Sequence, residues 1–281
     1  MDPRHAILFE PVKIGPVTAP NRFYQTPHAT GFGWQRPQSG AALRGVKAEG
    51  GWGVVCTEYC SIHPSSDDSP YAFLTNWDDG DIAPLAATAD AIHAHGALAG
   101  IELWHGGAHA SNRMTRVPGL APSTLPAMFH MPTTARAMDL ADIRAFRGWQ
   151  RDAAIRAKKA GFDIIYVYAG HDYLPFQFLS ARTNARGDAY GGSIENRARL
   201  LREIGEGLRA KGRALGLVDR GRVRQPALFG VAIHLLALLL APPCRIVGQV
   251  VVIVEQHVHQ LALHRQAHDT TVQRPAHPVA G

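Results

Sequence analysis

One unit recurs along this chain: a short apolar stretch, a polar loop, then a helical pattern. The apolar stretches are residues 22–26 (RFYQT, after the turn signal Pro20-Asn21), 53–59 (GVVCTEY), 98–104 (LAGIELW) and 162–168 (FDIIYVY), each rich in the β-branched and aromatic residues that favour strands. Between them, residues 82–95 are Ala-rich and stop before Gly96, while 139–160 start at Asp139, a good N-cap, and stop before Gly161. After the fourth stretch, Ser193 can cap a helix whose apolar face is Ile194, Ala198, Leu201, Ile204 and Leu208. A helix between two strands returns the chain to the end where the first strand began, so the strands pair in parallel. Four such units fit a doubly wound sheet or half of a (β/α)8 barrel, and periodicity does not separate them.

Two local signals do. A doubly wound nucleotide site announces itself with G-x-G-x-x-G after a strand, and the nearest match, Gly31-Phe32-Gly33, lacks the third glycine. Polar and aromatic groups also collect where each strand ends: Thr26 and His28, Glu58 and Tyr59, Glu102 and Trp104, Tyr168 and His171. A barrel keeps its active site at that end. The expectation is therefore the first four units of a (β/α)8 barrel, with strands near 22–27, 53–59, 97–104 and 162–168 and with Thr26, Tyr59, Glu102, Tyr168 and His171 on one rim.

Composition narrows the setting. With 281 residues, 46% hydrophobic and 19% charged, the chain can bury a sizeable core and has no signature of disorder. Met1-Asp2-Pro3-Arg4-His5 has no apolar leader, and three cysteines form no disulfide framework, which predicts a cytoplasmic protein. The net charge of +6 is uneven: residues 213–281 hold seven Arg against Asp219, Glu255 and Asp269, so +4 of it lies there. Those arginines lie among apolar and Pro residues with almost no aromatics to stack on bases, so nucleic acid is not expected as a partner. The apolar run 227–241 is short and interrupted by His234, so no membrane span is expected.

The segment HDYLPFQFLSARTNARGDAYGGSIENRAR resembles the signature of the old yellow enzyme family of flavin oxidoreductases, (β/α)8 barrels that bind FMN at the strand-end rim. Within it, NRFYQTPH, VKAEGGWGVVCTEYCSI, GALAGIELWHGGAHA and the spaced residues of GFDIIYVY and YLPFQFL are similar to the trimethylamine and dimethylamine dehydrogenases, in order over roughly residues 5–211. The resemblance implies that Thr26, Pro27, His28 and Ala29 lie along the flavin. It places Tyr59 beside flavin and substrate, and Glu102 under the pyrimidine end, where N3–H needs an acceptor. It makes Tyr168, His171 and Tyr173 the catalytic rim. Two tyrosine faces there attract an alkylammonium group by roughly 0.5–2 kcal/mol each, which favours an amine over a carbonyl substrate.

The departures matter equally. Where the amine dehydrogenases attach flavin through a cysteine this chain has Ala29, so FMN is expected to be non-covalent. An iron-sulfur cluster needs four clustered cysteines and Cys244 is isolated, so none is expected. Cys56 and Cys60 should point to one face of their strand as buried thiols, and His105 and His109 flank Gly106-Gly107, a loop, so no metal site is expected. Trp52 and Trp104 are expected to pack, and Arg186, Asp188, Tyr190, Gly191, Gly192, Asn196 and Arg197 to brace the loop carrying His171 and Tyr173. Residues 213–281 contain no Lys, Tyr or Trp, which predicts a divided chain: barrel at 1–212, then a divergent tail in which the coding frame was lost. Within that tail only 248–258 is β-branched enough to lie beside the fourth strand. Three readings follow. The chain is an FMN oxidoreductase oxidising a small methylated amine, an FMN ene reductase using a nicotinamide donor, or an inactive half-barrel. The expected partner is a small-molecule substrate, with a homo-oligomer left open.

Overall fold

The computed structural model describes residues 2–126, 133–214 and 250–251. After a 3-10 turn at Pro3–Phe9, the chain makes a hairpin of β1 (Val12–Ile14) and β2 (Val17–Ala19). Then follow β3 (Tyr24–Gln25), α1 (Pro37–Glu49), β4 (Val54–Ser61), β5 (Leu74–Thr75), α2 (Ile82–His93) and β6 (Leu98–Trp104). An excursion of β7 (Leu120–Ala121), β8 (Leu125–Pro126) and β9 (Thr134–Ala137) precedes α3 (Leu140–Lys159) and β10 (Ile164–Val167). Last come α4 (Leu174–Leu179), α5 (Ile194–Arg197), α6 (Arg199–Ala214) and β11 (Val250–Val251).

The central sheet runs β11-β10-β6-β4-β3, parallel throughout, with β5 added on β4. The four expected strands are therefore adjacent and in the expected order, as the first part of a (β/α)8 barrel. Its two faces bury different residues. Toward the helices, Val55, Ile101, Leu103, Ile165 and Val167 pack with Ile92 of α2, Ile143 and Phe146 of α3, and Leu201 and Ile204 of α6. Inside the curve, Val54, Cys56, Ile164 and Tyr166 meet Ile14 and Ala19 of the hairpin. The hairpin thus closes the end where β4 and β10 begin and leaves the opposite end for chemistry. Each large apolar side chain removed from water this way contributes about 1.5–3 kcal/mol.

Helix limits follow the capping logic. Asp139 caps α3 in a reciprocal box with Asp142, Gly161 (φ 96°) ends it, and Gly96 (φ 75°) follows α2. The helix expected after Ser193 is two: Ser193 caps α5, the chain breaks at Ala198, and α6 begins at Arg199. Of its expected face, Ala198, Leu201, Ile204 and Leu208 are buried and Ile194 is half-buried. The first strand is shorter than expected because its flank serves the N-terminal segment: Arg22 donates to the carbonyls of Leu8 and Ile7, while Asn21 ties the turn to Gly51. The division expected after 212 falls within α6, and of the expected tail strand only Val250–Val251 is described, paired with Ile165 and Tyr166. Otherwise, what was expected of 215–281 lies outside the described residues.

Two expectations are corrected. Trp52 is 38% exposed, since no element covers the turn it occupies. Cys56 and Cys60 do not share a face. The β4–β6 pairing matches Cys56 with Gly100 but Tyr59 with Glu102, so β4 carries one extra residue between them. This β-bulge turns every later side chain to the other face. Cys56 consequently lies in the inner cluster and Cys60 in the outer core, both as buried free thiols.

Candidate active site

The bulge in β4 is chemically supported. Thr57 donates its hydroxyl to the Glu58 carbonyl at 2.7 Å and accepts the Glu102 N–H at 3.3 Å, filling the place that strand pairing leaves empty. Glu58 is turned toward the loop after β3, where it accepts from Thr30 N, Thr30 Oγ1 and Gly33 N. Tyr59 is turned toward the strand-end rim, where its ring meets Trp104 at 4.9 Å between centroids.

From Trp104 an aromatic wall continues. Its ring contacts Tyr173 at 5.2 Å, Tyr173 contacts Tyr168 at 4.9 Å, and Tyr168 contacts His171 at 5.6 Å, all edge to face. His109 meets Tyr173 at 5.8 Å. Each such pair adds about 0.5–1.5 kcal/mol beyond burial. Tyr168 Oη and His171 Nδ1 are 2.5 Å apart, a hydrogen bond that lets the two act as one proton-handling unit. The backbone is strained there: His171 (φ 49°) and Asp172 (φ 57°) are consecutive non-glycine residues in the left-handed region, each costing about 1–2 kcal/mol.

Carboxylates border the wall. Tyr59 Oη donates to Asp68 Oδ2 at 2.9 Å and to the Ala72 carbonyl at 3.3 Å. Burial raises the Asp68 carboxyl to about 6, against the Tyr59 hydrogen bond, which favours its ionised form. Burial first, then the charge and hydrogen bond of Asp68, push the Tyr59 phenol far up. Tyr173 is pushed up to about 12 by burial, then by Asp68 and Glu102, against the Trp104 ring N–H. These phenols stay neutral at physiological pH and offer uncharged faces beside negative charge. Glu102 itself is 8% exposed and lies in register with Tyr59 on one side and Tyr166 on the other.

The structure therefore brings Tyr59, Tyr168, His171 and Tyr173 together, with Glu102 beside them, and builds the 26–29 loop separately. Arg44 of α1, 2% exposed, donates to the His28 carbonyl at 2.7 Å and approaches its ring at 3.1 Å, while Gln25 Nε2 donates to His28 Nδ1 at 2.8 Å and to the Thr26 carbonyl. Burial, then the Arg44 charge, lowers the His28 pKa and keeps it neutral. Thr26, His28 and Ala29 are exposed and Pro27 half-buried. Gly33 is needed for packing, since a Cβ would come within 2.6 Å of Phe73 N.

The loop expected to brace His171 and Tyr173 is itself anchored elsewhere: Arg186 donates to the Pro122 and Met138 carbonyls and pairs with Asp188, and Arg197 donates to the Leu179 carbonyl, while the neighbouring Asn184 donates to the Phe178 and Tyr190 carbonyls, so the bonds that leave the loop run to α4 and the β7–β9 excursion and not to residues 171–173. Sequence reasoning missed Asp68 and His109 as parts of the rim and read Trp104, at the end of its strand, as a packing residue; it is indeed 1% exposed while its ring joins the wall. Asp68 sits in an irregular loop beside Asp67, which faces away to accept from Ser69, Met114 and Thr115 N–H groups. Two adjacent acids with opposite duties carry no periodic signal. A cavity of about 420 Å³ lined by Ala108, Asn112, Arg116 and Thr134 lies on the β7–β9 excursion and includes none of the expected rim residues. Among the described residues no cluster of three His, Cys, Asp or Glu is placed to hold a metal, and no helix is long and apolar enough to cross a membrane.

Residues 7–215 match the model of the NADH:flavin oxidoreductase / NADH oxidase family. The chain belongs to that family. It is 44% identical over 214 residues to dimethylamine dehydrogenase of a Hyphomicrobium species, covering 74% of this chain and 29% of that one. The structure of histamine dehydrogenase from Rhizobium sp. 4-9 superposes with a TM-score of 0.74 at 46% identity, over 77% of this chain and 33% of the other. NADPH dehydrogenase of Halalkalibacterium halodurans is 44% identical over 158 residues, 56% of this chain and 45% of its own. The chain thus spans about a third of the amine-oxidising relatives. As a member of this family it has the α/β barrel fold of an FMN-linked oxidoreductase family. The rim fits a flavin ring: a buried carboxylate acceptor, Glu102, stands beside a wall of flat, neutral aromatic faces.

Proposed function

We propose that this rim serves an FMN-dependent oxidoreductase of the amine dehydrogenase type, acting on a small methylated amine with flavin as electron acceptor. The observation carrying the reading is the continuous aromatic wall Tyr59–Trp104–Tyr173–Tyr168 bordered by Asp68. Neutral aromatic faces beside a carboxylate attract a cation and repel an anion. Glu102 would accept from the flavin ring N–H, and the 26–29 loop, clamped by Arg44, would lie along the ring. With Ala29 in place of a thiol, the FMN is held without a covalent bond. The bound flavin supplies the two-electron acceptor. The chain's residues hold the amine against the wall, and the Tyr168–His171 pair holds or moves the proton at the phenol oxygen.

A second reading, a nicotinamide-dependent reductase, draws on the 44% identity to an NADPH dehydrogenase. The test is an FMN titration of the 281-residue chain followed by anaerobic addition of dimethylamine or NADPH. Bleaching by the amine supports the first reading and bleaching by NADPH alone supports the second. Absence of any FMN binding supports a third, in which residues 1–212 form a barrel portion that is inactive by itself and 213–281 a separate divergent tail.

A further inference from the structure

Gln177 lies outside the proposed chemistry, yet its side chain joins the two loops that carry it. It is fully buried on α4. Its Oε1 accepts from Ala108 N at 3.2 Å, and its Nε2 donates to the Gly106 carbonyl at 3.3 Å and to the Asp172 carbonyl at 2.5 Å. Gly106 and Ala108 belong to the loop that follows β6 and Trp104. Asp172 belongs to the loop that follows β10 and Tyr168. Gly107, between the first two, has a left-handed φ of 63°, and a Cβ there would overlap the Gln177 amide. The two loops thus meet at this amide, alongside the Leu174 N–H to His105 carbonyl bond at 3.0 Å and the Trp104–Tyr173 and His109–Tyr173 ring contacts.

The bond to Asp172 has a particular consequence. His171 and Asp172 are both left-handed, a conformation that L side chains avoid, so something must hold it. Left-handed geometry at 172 turns its carbonyl toward Gln177 rather than along the chain. The other tether is an ion pair from Arg182 to Asp172 Oδ2 at 2.5 Å, but the Arg182 side chain is 63% exposed, so solvent screens it. Gln177 is buried and therefore the stronger anchor. If the carbonyl were released, the pair 171–172 would relax toward ordinary backbone angles, and the His171 ring would swing from Tyr168.

We propose that Gln177 is the positioning residue of this rim: it locks the left-handed His171–Asp172 pair and thereby sets the Tyr168–His171 hydrogen bond. The inference rests on the proposed function only in taking that hydrogen bond as the working pair, and its test needs neither flavin nor amine. The 281-residue chain is labelled with 15N at histidine, and the ring signals of His171 are assigned with H171Q. Y168F supplies the reference in which the hydroxyl partner is gone.

In Gln177→Met, similar in size but without polar atoms, the His171 Nδ1 shift is expected to move to the Y168F value. Gln177→Leu likewise removes both donors and should reproduce that shift; it also serves if the Met variant does not fold. Adding Asp172→Gly makes the left-handed geometry at 172 acceptable to the backbone, so the double variant with Gln177→Leu should recover at least half of the wild-type shift. A purely structural role would lower the melting temperature of the Gln177 variants and leave the His171 signal unchanged. That result, or failure of Asp172→Gly to restore the signal, overturns the proposal. Failure of amine oxidation, by contrast, leaves these spectra as they are and counts against the proposed function alone.

Discussion

The loops that follow β3 and β10 carry expected site residues at the same end of one parallel sheet, yet they are held in opposite ways. The β3 loop, 26–29, is exposed and gripped from below by a buried guanidinium, Arg44, that takes its carbonyl and its histidine ring. The β10 loop is strained in its own backbone and leans on an aromatic wall shared with β4 and β6. The difference comes from position in the sheet. Among the described residues β3 is an edge strand paired with β4 alone, so its loop borrows order from a helix. β10 has β6 on one side and β11 on the other, so its loop can be held across a strand by side-chain packing. Strain is affordable only where neighbours on several sides over-determine it.

The largest effect that tests this contrast should come from Trp104→Ala. Trp104 is 1% exposed and joins Tyr59 to Tyr173, so its removal should cost about 3–5 kcal/mol by chemical denaturation and release the β10 rim. The His28 signals should barely move; if they move as far as those of His171, the two loops are one unit. Arg44→Ala is the reciprocal test, expected to cost about 2–3 kcal/mol for its lost charged hydrogen bonds while leaving the His171 signals in place.

A pH experiment sharpens the rim further. The Asp68 carboxyl is raised to about 6 in the folded chain from an ordinary 3.8, so it binds its proton more tightly folded than unfolded. Its contribution to stability is full below about 4 and is lost as pH rises through 6, on the order of 2 kcal/mol. Asp68→Asn should abolish that loss in urea titrations between pH 4 and 6. Two histidines that follow β4 and β6, half-buried His63 and fully buried His105, act oppositely. Burial depresses His63 to about 4 and His105 to about 3, so both are neutral when folded, and their contribution, present above 6.5, is lost as pH falls through those values. With Asp68 replaced, the acid-side loss should stand alone. The smallest effect is expected of Thr57→Val, which removes the hydroxyl filling the bulge: about 1 kcal/mol, with Tyr59 less firmly set against Trp104.

Much of the frame was legible because local rules carry it. Asp139, Gly96 and Gly161 mark helix ends by capping chemistry that needs no distant partner, and the parallel order follows from helices between strands. α1 escaped notice because Gly40 and Gly45 weaken its pattern; Gly45 is there for contact, as a Cβ would press within 3.3 Å of the Ala91 carbonyl on α2. The β1–β2 hairpin escaped for a similar reason, since six residues have no periodicity until they find an inner face to cover.

What the sequence by itself determined is the alternation of strands and helices, their caps and the placing of chemical groups at strand ends, since each depends on residues within a few positions of one another. Only the tertiary structure decided which of those groups meet. One residue too many in β4 sends Cys56 and Cys60 to different faces and aims Tyr59 at Trp104, and that bulge exists only relative to the partner strand β6. Asp68 joins the rim by accepting from Tyr59, and Gln177 joins two loops by reaching 69 residues back to Ala108. Side-chain hydrogen bonds of that span have no local propensity to announce them; they form because packing brings buried polar atoms together and leaves each the other as partner.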